Sequence, residues 1–258
     1  MCKKSLFFYV YIIQLNIMWL NIVVSLLLVG CVGITTDDMQ IVKPANPNMY
    51  SVATLQKITD STNPVHIYIE GDGHAFDYRG QPTKNPTPRS RFMRRMYAAD
   101  DAPNVAYVAR PCQFVMDEKC TTTDWTTGRF SRAMVDSVAN AIKNIVGNRP
   151  VILVGYSGGA MMSGLIIQNH NEIDVKKWIT IAGVLNHVDW TAYFNDAPLI
   201  HSLNLNTLPQ LPATHYIAEN DSVVPNILSK QWVGENDIKT IKNASHDTIP
   251  IIKLDFND

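Results

Sequence analysis

The sequence predicts an α/β protein with a mostly parallel central sheet and helices on both faces. Three observations lead there. Short β-branched, apolar runs alternate with stretches of helical periodicity between residues 65 and 241, which is the pattern of strand–helix–strand crossovers. Val151-Ile152-Leu153-Val154 is apolar at four consecutive positions, as in a strand buried on both faces. The polar clusters fall just after strand ends, on the rim where open parallel sheets collect ligands. The chain has 258 residues, enough for one sizeable core. A hydrophobic fraction of 46% against 17% charged excludes a disordered chain. A net charge of -1 gives no reason to expect a nucleic-acid partner.

The first thirty residues read as a signal peptide. Lys3 and Lys4 form a basic start, and Leu6 to Val29 is apolar apart from Gln14, Asn16, Asn21 and Ser25. Leu28-Val29-Gly30-Cys31 then resembles a bacterial lipobox, in which the signal is cut before a cysteine that becomes lipidated. Cys31 is the expected lipidation site, and the expected partner is a membrane, held through that lipid. The absence of Asp after Cys31 points to outer-membrane sorting if the cell is Gram-negative. The long apolar run leaves an uncleaved membrane anchor as the alternative. Residues 31–48, marked by Pro44 and Pro47, read as a tether. The folded domain is expected over 49–258.

Within the domain, Met49 to Ile58 is ambiguous between helix and short strand. Val65 to Ile69 reads as a strand that ends in Glu70-Gly71-Asp72-Gly73-His74. Three prolines make Gly80 to Pro88 a loop. Arg89 to Ala99 reads as a helix, and Asn104 to Ala109 as a strand. Between Gly128 and Val146, Phe130, Met134, Val138, Ile142 and Ile145 recur at helical spacing, with Thr127 as the expected N-cap and Gly147 as the stop. Lys177 to Ala182 and Thr214 to Ala218 read as strands. Pro225 opens a helix to Val233, and Ile238 to Ile241 is the last strand. Arg89, Arg91, Arg94 and Arg95 read as a solvated helix face, with anionic lipid headgroups or a phosphate as the alternative.

Once Cys2 leaves with the signal and Cys31 carries lipid, Cys112 and Cys120 remain. In an oxidising compartment they are a natural disulfide pair. Two free thiols or a metal pair stay open as alternatives, although no further Cys or His lies in that stretch to complete a metal site.

The chemistry centres on Gly155-Tyr156-Ser157-Gly158-Gly159. The stretch follows a buried strand and opens a helix, the context required of a nucleophile elbow. Gly155 and Gly159 leave room for a tight turn that lifts the Ser157 hydroxyl above the sheet. A serine nucleophile needs a base and a carboxylate to orient that base, and on such a sheet they follow in the order Ser, acid, His. Asp221 lies one short turn past Ala218, with Glu219 and Asp189 as reserve acids. Of seven histidines, only His246 follows Asp221. For the oxyanion, the expected backbone donors are the N–H groups of Gly158 and Asp72, with the Asp72 carboxylate turned away towards Arg79 or His74.

These phrases resemble the α/β-hydrolase fold superfamily. More narrowly, the chain is similar to a group of bacterial α/β-hydrolase lipoproteins without an assigned substrate. The shared phrases are Ile69-Glu70-Gly71-Asp72-Gly73, Ala109-Arg110-Pro111-Cys112-Gln113, Trp125 with Arg129-Phe130-Ser131, and Gly155-Tyr156-Ser157-Gly158-Gly159. The resemblance spans about residues 65 to 246 and implies a serine hydrolase with Ser157, Asp221 and His246 as its triad. The sequence departs from the family at two places. Its N-terminal strands look short or missing, so a reduced sheet is expected, and its oxyanion loop begins Glu-Gly where many relatives have His-Gly.

With no phosphate loop, no H-E-x-x-H zinc motif and no cofactor motif, the implied reaction is acyl transfer to water on a small-molecule substrate. Residues 186–212 are expected as a small cap. Trp190, Tyr193, Phe194 and several leucines make it apolar, which suits short or medium acyl or aromatic esters. A membrane lipase or phospholipase, a thioesterase, a peptidase, and a non-catalytic binding lipoprotein are the alternatives.

Overall fold

The computed structural model describes residues 38–256. The signal peptide, Cys31 and the start of the tether lie outside the described residues. Eight strands form one sheet in the order β1-β2-β4-β3-β5-β6-β7-β8. They are β1 (Gln40–Val42), β2 (Val52–Ile58), β3 (Val65–Ile69), β4 (Asn104–Val108), β5 (Val151–Tyr156), β6 (Val175–Ile181), β7 (Ala213–Ala218) and β8 (Ile238–Ile241). β1 and β2 run antiparallel to their neighbours, and every pairing from β4 to β8 is parallel. The helices are α1 (Phe92–Ala99), α2 (Arg132–Val146), α3 (Gly158–Asn169), α4 (His187–Phe194) and α5 (Asn226–Lys230).

At the N-terminal end of the sheet the strands read as short or missing are present, which makes the sheet a full eight strands, and the first is short. The ambiguous stretch is β2, a seven-residue strand. β1 is short, at three residues, but present, and it lies inside the stretch read as a tether. Two of its three residues are exposed, so it carries no buried pattern for a sequence reading to find; pairing with β2 defines it.

Side-chain alternation in β3 separates the two faces of the sheet. Val65, Ile67 and Ile69 are fully buried in a cluster with Met134, Val138 and Ile142 of α2 and Met161, Met162 and Leu165 of α3. His66 and Tyr68 face the other way, where both meet the Asp100 carboxylate at 2.8 Å and share a cavity with Met96 of α1 and Leu254 of the C-terminal segment. α3 is buried over most of its circumference, so its small residues matter. A Cβ on Gly164 would come within 2.7 Å of Leu205 and 3.1 Å of Trp178. Trp178 in turn donates its indole N–H to Ser163 at 2.7 Å.

The start of α2 also differs from expectation. Ser131, not Thr127, is the N-cap, and its hydroxyl accepts from the Met134 N–H. The Thr127 carbonyl accepts instead from Ser202 and His201, because residues 122–130 form a separate bent segment beginning with a 3₁₀ turn at Thr122–Trp125. The four arginines around α1 divide. Arg94 is buried, with its guanidinium 5.2 Å from the Phe114 ring centre, while Arg89, Arg91 and Arg95 are exposed. The 186–212 stretch is α4 followed by irregular chain. Leu199 and Leu205 pack down onto the body, while Val188, Tyr193 and Ile200 remain exposed. Cys112 and Cys120 form a disulfide in the loop after β4.

Candidate active site

The residues singled out in the sequence meet at the carboxyl edge of the sheet. Ser157 follows β5, Asp221 follows β7 and His246 follows β8. Parallel strands bring these three loop ends to one rim although Ser157 and His246 are 89 residues apart in sequence. Ser157 has φ 52° and ψ -122°, a left-handed conformation that costs a non-glycine residue on the order of 1–3 kcal/mol. The surrounding backbone holds it there. Its N–H donates to the Ile181 carbonyl at 3.0 Å, and its own carbonyl accepts from Ala160 and Val184 at 3.0 and 3.1 Å.

The elbow glycines are required by close approach. A Cβ on Gly155 would run into the Gly159 carbonyl, and one on Gly159 would stand 2.5 Å from the Ile69 carbonyl oxygen. A Cβ on Gly158 would collide with the Asp72 carboxylate.

Ser157 Oγ lies 3.0 Å from His246 Nε2, and His246 Nδ1 lies 2.8 Å from Asp221 Oδ2. The other Asp221 oxygen accepts the Val223 and Val224 N–H groups at 2.8 and 2.7 Å, so the carboxylate is fixed from both sides and its side chain has no exposure. Tyr156 stacks on the imidazole with ring centres 5.1 Å apart and donates its hydroxyl to the His246 carbonyl at 3.0 Å. Burial, with Asp247, Glu70 and Asp221 nearby, pushes the Tyr156 phenol well up, so it stays a donor.

The reserve acids are engaged elsewhere. Asp189 accepts from Gln231 and Trp232, and Glu219 accepts from Lys242 and the Asn243 N–H. The other histidines also have separate settings. His170 pairs with Glu172 and Asp136, His187 bonds the Leu203 carbonyl, and His215 meets Thr180 Oγ1 at 2.9 Å.

The loop after β3 lies against Ser157. A Cβ on Gly71 would come within 3.2 Å of the Ser157 Cβ. Glu70 turns its carboxylate back to accept the Gly71 N–H at 3.0 Å and the Tyr107 hydroxyl at 2.9 Å. Burial pushes its carboxyl upward despite those donors and the charges of Arg94 and Arg110. The Asp72 carboxylate corrects the sequence reading. It turns neither to Arg79, which lies over the Tyr78 ring, nor to His74. Its partners are Arg110 Nη1 at 3.0 Å and Arg129 Nη1 at 2.6 Å. Burial favours the neutral acid, but Arg129 and Arg110 outweigh it and hold the carboxyl below the usual carboxylate range. Sequence reasoning gave these arginines no role. Their signal was present in the phrases Ala-Arg-Pro-Cys-Gln and Arg-Phe-Ser, where an arginine stands among apolar or turn residues on the predicted rim.

Beyond Arg129 opens a mainly apolar cavity of about 420 Å³, lined by Phe76, Trp190 and Leu199 among others. The Arg129 guanidinium lies 5.5 Å from the Phe76 ring centre and 5.9 Å from that of Trp190. Trp190 donates to the Val223 carbonyl, two residues past Asp221. Trp190, one wall of the cavity, thereby ties it to the loop that carries Asp221.

No family model and no curated protein matches the chain. Solved structures do. An α/β serine hydrolase homologue from Coxiella burnetii is similar at 14% identity and TM-score 0.53, over 83% of this chain and 91% of that one. Est1E from Butyrivibrio proteoclasticus is similar at 11% identity and TM-score 0.55, over 82% and 91%. An esterase of Pyrococcus furiosus is similar at 14% identity and TM-score 0.55, over 84% and 87%. At these identities the likeness speaks for the fold. The chain has the α/β-hydrolase fold.

Proposed function

We propose that this protein is a serine hydrolase, a carboxylesterase acting on short or medium acyl or aromatic esters. The observation that carries the proposal is the continuous relay from Asp221 through His246 to Ser157, at 2.8 and 3.0 Å, with the serine on a strained elbow. In this reading Ser157 Oγ attacks the acyl carbonyl and His246 Nε2 takes its proton. Asp221 keeps the other imidazole proton on Nδ1 and stabilises the imidazolium. The N–H of Gly158, at the start of α3 and without an i−4 carbonyl, is one oxyanion donor. The Asp72 N–H is the second. Water then releases the acyl group by the same path in reverse.

The substrate class rests on the cavity beside Arg129. Its volume of about 420 Å³ and aromatic walls suit a short chain or a ring better than a long fatty acyl chain. The test is a fluorophosphonate probe followed by a p-nitrophenyl ester series of increasing chain length. Labelling should occur in the wild type and vanish in Ser157→Ala, with turnover highest at short to medium acyl chains. An unlabelled wild type would refute the hydrolase reading. Highest turnover on long chains would refute the substrate class in favour of a lipase.

Export and lipid anchoring through Cys31 belong to the same proposal, on the strength of the leader and its lipobox. Cys31→Ser should abolish lipid labelling and leave a larger precursor. Unchanged size and unchanged membrane association would mean an uncleaved anchor.

A further inference from the structure

The loop after β3 is braced at nearly every polar group. The Gly71 N–H is taken by Glu70, and the Gly71 carbonyl accepts the Gln113 side-chain amide at 3.0 Å. The carbonyl end of that same Gln113 amide accepts the Arg110 N–H at 3.1 Å. Arg110 and Arg129 each take one oxygen of the Asp72 carboxylate, and Arg110 also donates to the Arg129 main-chain carbonyl. Among the described residues, no acceptor meets the Asp72 N–H. Gly73, the residue after, has φ +68°, and a Cβ there would strike the Pro86 carbonyl.

The arginine cluster has no good justification in stability. Arg110 and Arg129 are 5% exposed, and Arg110 Nε has no partner. Buried ion pairs and triads are often matched or bettered by apolar side chains of similar volume. Two guanidinium groups against one carboxylate also leave one positive charge in excess. Glu70 lies close by, its carboxyl pushed upward by burial against the opposing charges of Arg94 and Arg110. A Cβ built on Gly158, the residue after Ser157, would strike the Asp72 carboxylate that bears that cluster.

We infer that Arg110 and Arg129 are positioning residues that act through the Asp72 carboxylate to aim its backbone N–H at the oxyanion. The inference rests on the serine-hydrolase reading. It explains why an acidic residue is tolerated at the oxyanion: its own charge is neutralised before the substrate arrives. It also gives the clamp a specific signature. Its contribution appears in the transition state and is absent from ground-state binding.

The experiment uses the full chain carrying Asp72→Asn, with Arg129→Lys as the second variant, on p-nitrophenyl butyrate. Asn keeps the shape and the backbone N–H but gives up both ion pairs. Lys keeps the charge but loses the paired geometry with Thr126 and Asp72. In both, kcat should fall about 10²-fold with KM changed less than about threefold, since loss of an oxyanion donor costs about 10²–10³. Inhibition by a trifluoromethyl ketone, which forms a hemiketal oxyanion on Ser157, should weaken by a similar factor. Binding of the matching non-fluorinated amide should stay the same. Unchanged kcat in both variants would overturn the inference, as would an equal loss of ketone and amide binding, which is the mark of general disruption. The fluorophosphonate separates the two readings. An unlabelled wild type refutes the hydrolase, and a labelled wild type with fully active variants refutes only the clamp.

Discussion

Replacing Asp221 with Asn tests the relay at its least exposed point. One Asp221 oxygen accepts two backbone N–H groups, from Val223 and Val224, and the other faces His246 Nδ1. The asparagine carbonyl will stay on the two N–H groups. Turning its NH₂ towards them would leave two buried donors unsatisfied at about 1–3 kcal/mol each. The NH₂ therefore faces Nδ1, which must become an acceptor, and the imidazole proton moves to Nε2. That proton points at Ser157 Oγ, and the base is lost while the geometry is kept. By analogy with serine proteases altered at the same position, kcat should fall about 10⁴-fold. The assay is steady-state hydrolysis of p-nitrophenyl butyrate beside a thermal melt. Asp189→Asn and Glu219→Gln, which touch neither His246 nor Ser157, should keep most activity. A kcat within tenfold of wild type in Asp221→Asn would refute the tautomer argument. A crippled Asp189→Asn beside a healthy Asp221→Asn would move the acid to the other loop.

Three further outcomes follow from the packing. Gly155→Ala drives a Cβ into the Gly159 carbonyl and should cost about 3 kcal/mol, lowering Tm by about 6–12 °C; an unchanged melt would show that the elbow can relax. Burial lowers the His215 pKa to about 4 from an ordinary 6.5, only partly offset by Asp237. The unfolded chain then binds the extra proton first, so this stability is full above pH 6.5 and drains away as pH falls towards 4. The term is on the order of 3 kcal/mol, and denaturant titrations of the wild type and His215→Gln should differ in pH slope across that window; equal slopes would refute it. Removing the disulfide with Cys112→Ser and Cys120→Ser should cost at most ~2.5 kcal/mol for so short a loop. The kcat should fall further than that loss suggests, because Gln113 inside the loop braces the Gly71 carbonyl; free thiols in the wild type, or a fully active double variant, would contradict this.

Much of the fold was legible because it is written in local pattern. Val65–Ile69 and Ile238–Ile241 match their sequence limits, and the strand–elbow–helix around Ser157 is announced by residues that serve no other turn. The pairing of Asp221 with His246 was legible through chain order and the placement of both residues just after strand ends. What stayed hidden depends on distant partners. β1 exists because β2 offers it an edge, and its own three residues carry no periodicity. The direction of the Asp72 carboxylate depends on arginines 38 and 57 residues away, so the nearer Arg79 and His74 drew the reading. Thr127 had the right chemistry for an N-cap, and only the turn at Thr122–Trp125 moves the helix start to Ser131.

The short first strand has a mechanical consequence. Any pull arriving along the chain from its N-terminal side enters the sheet through β1, which is held by three residue pairs with β2. Those pairs can be peeled one at a time, whereas β2 is matched to β4 at five positions, Thr54 to Ile58. β1 therefore works as a fuse. It would open first under such a load and leave β5, the strand before Ser157 four places along the sheet, unstrained.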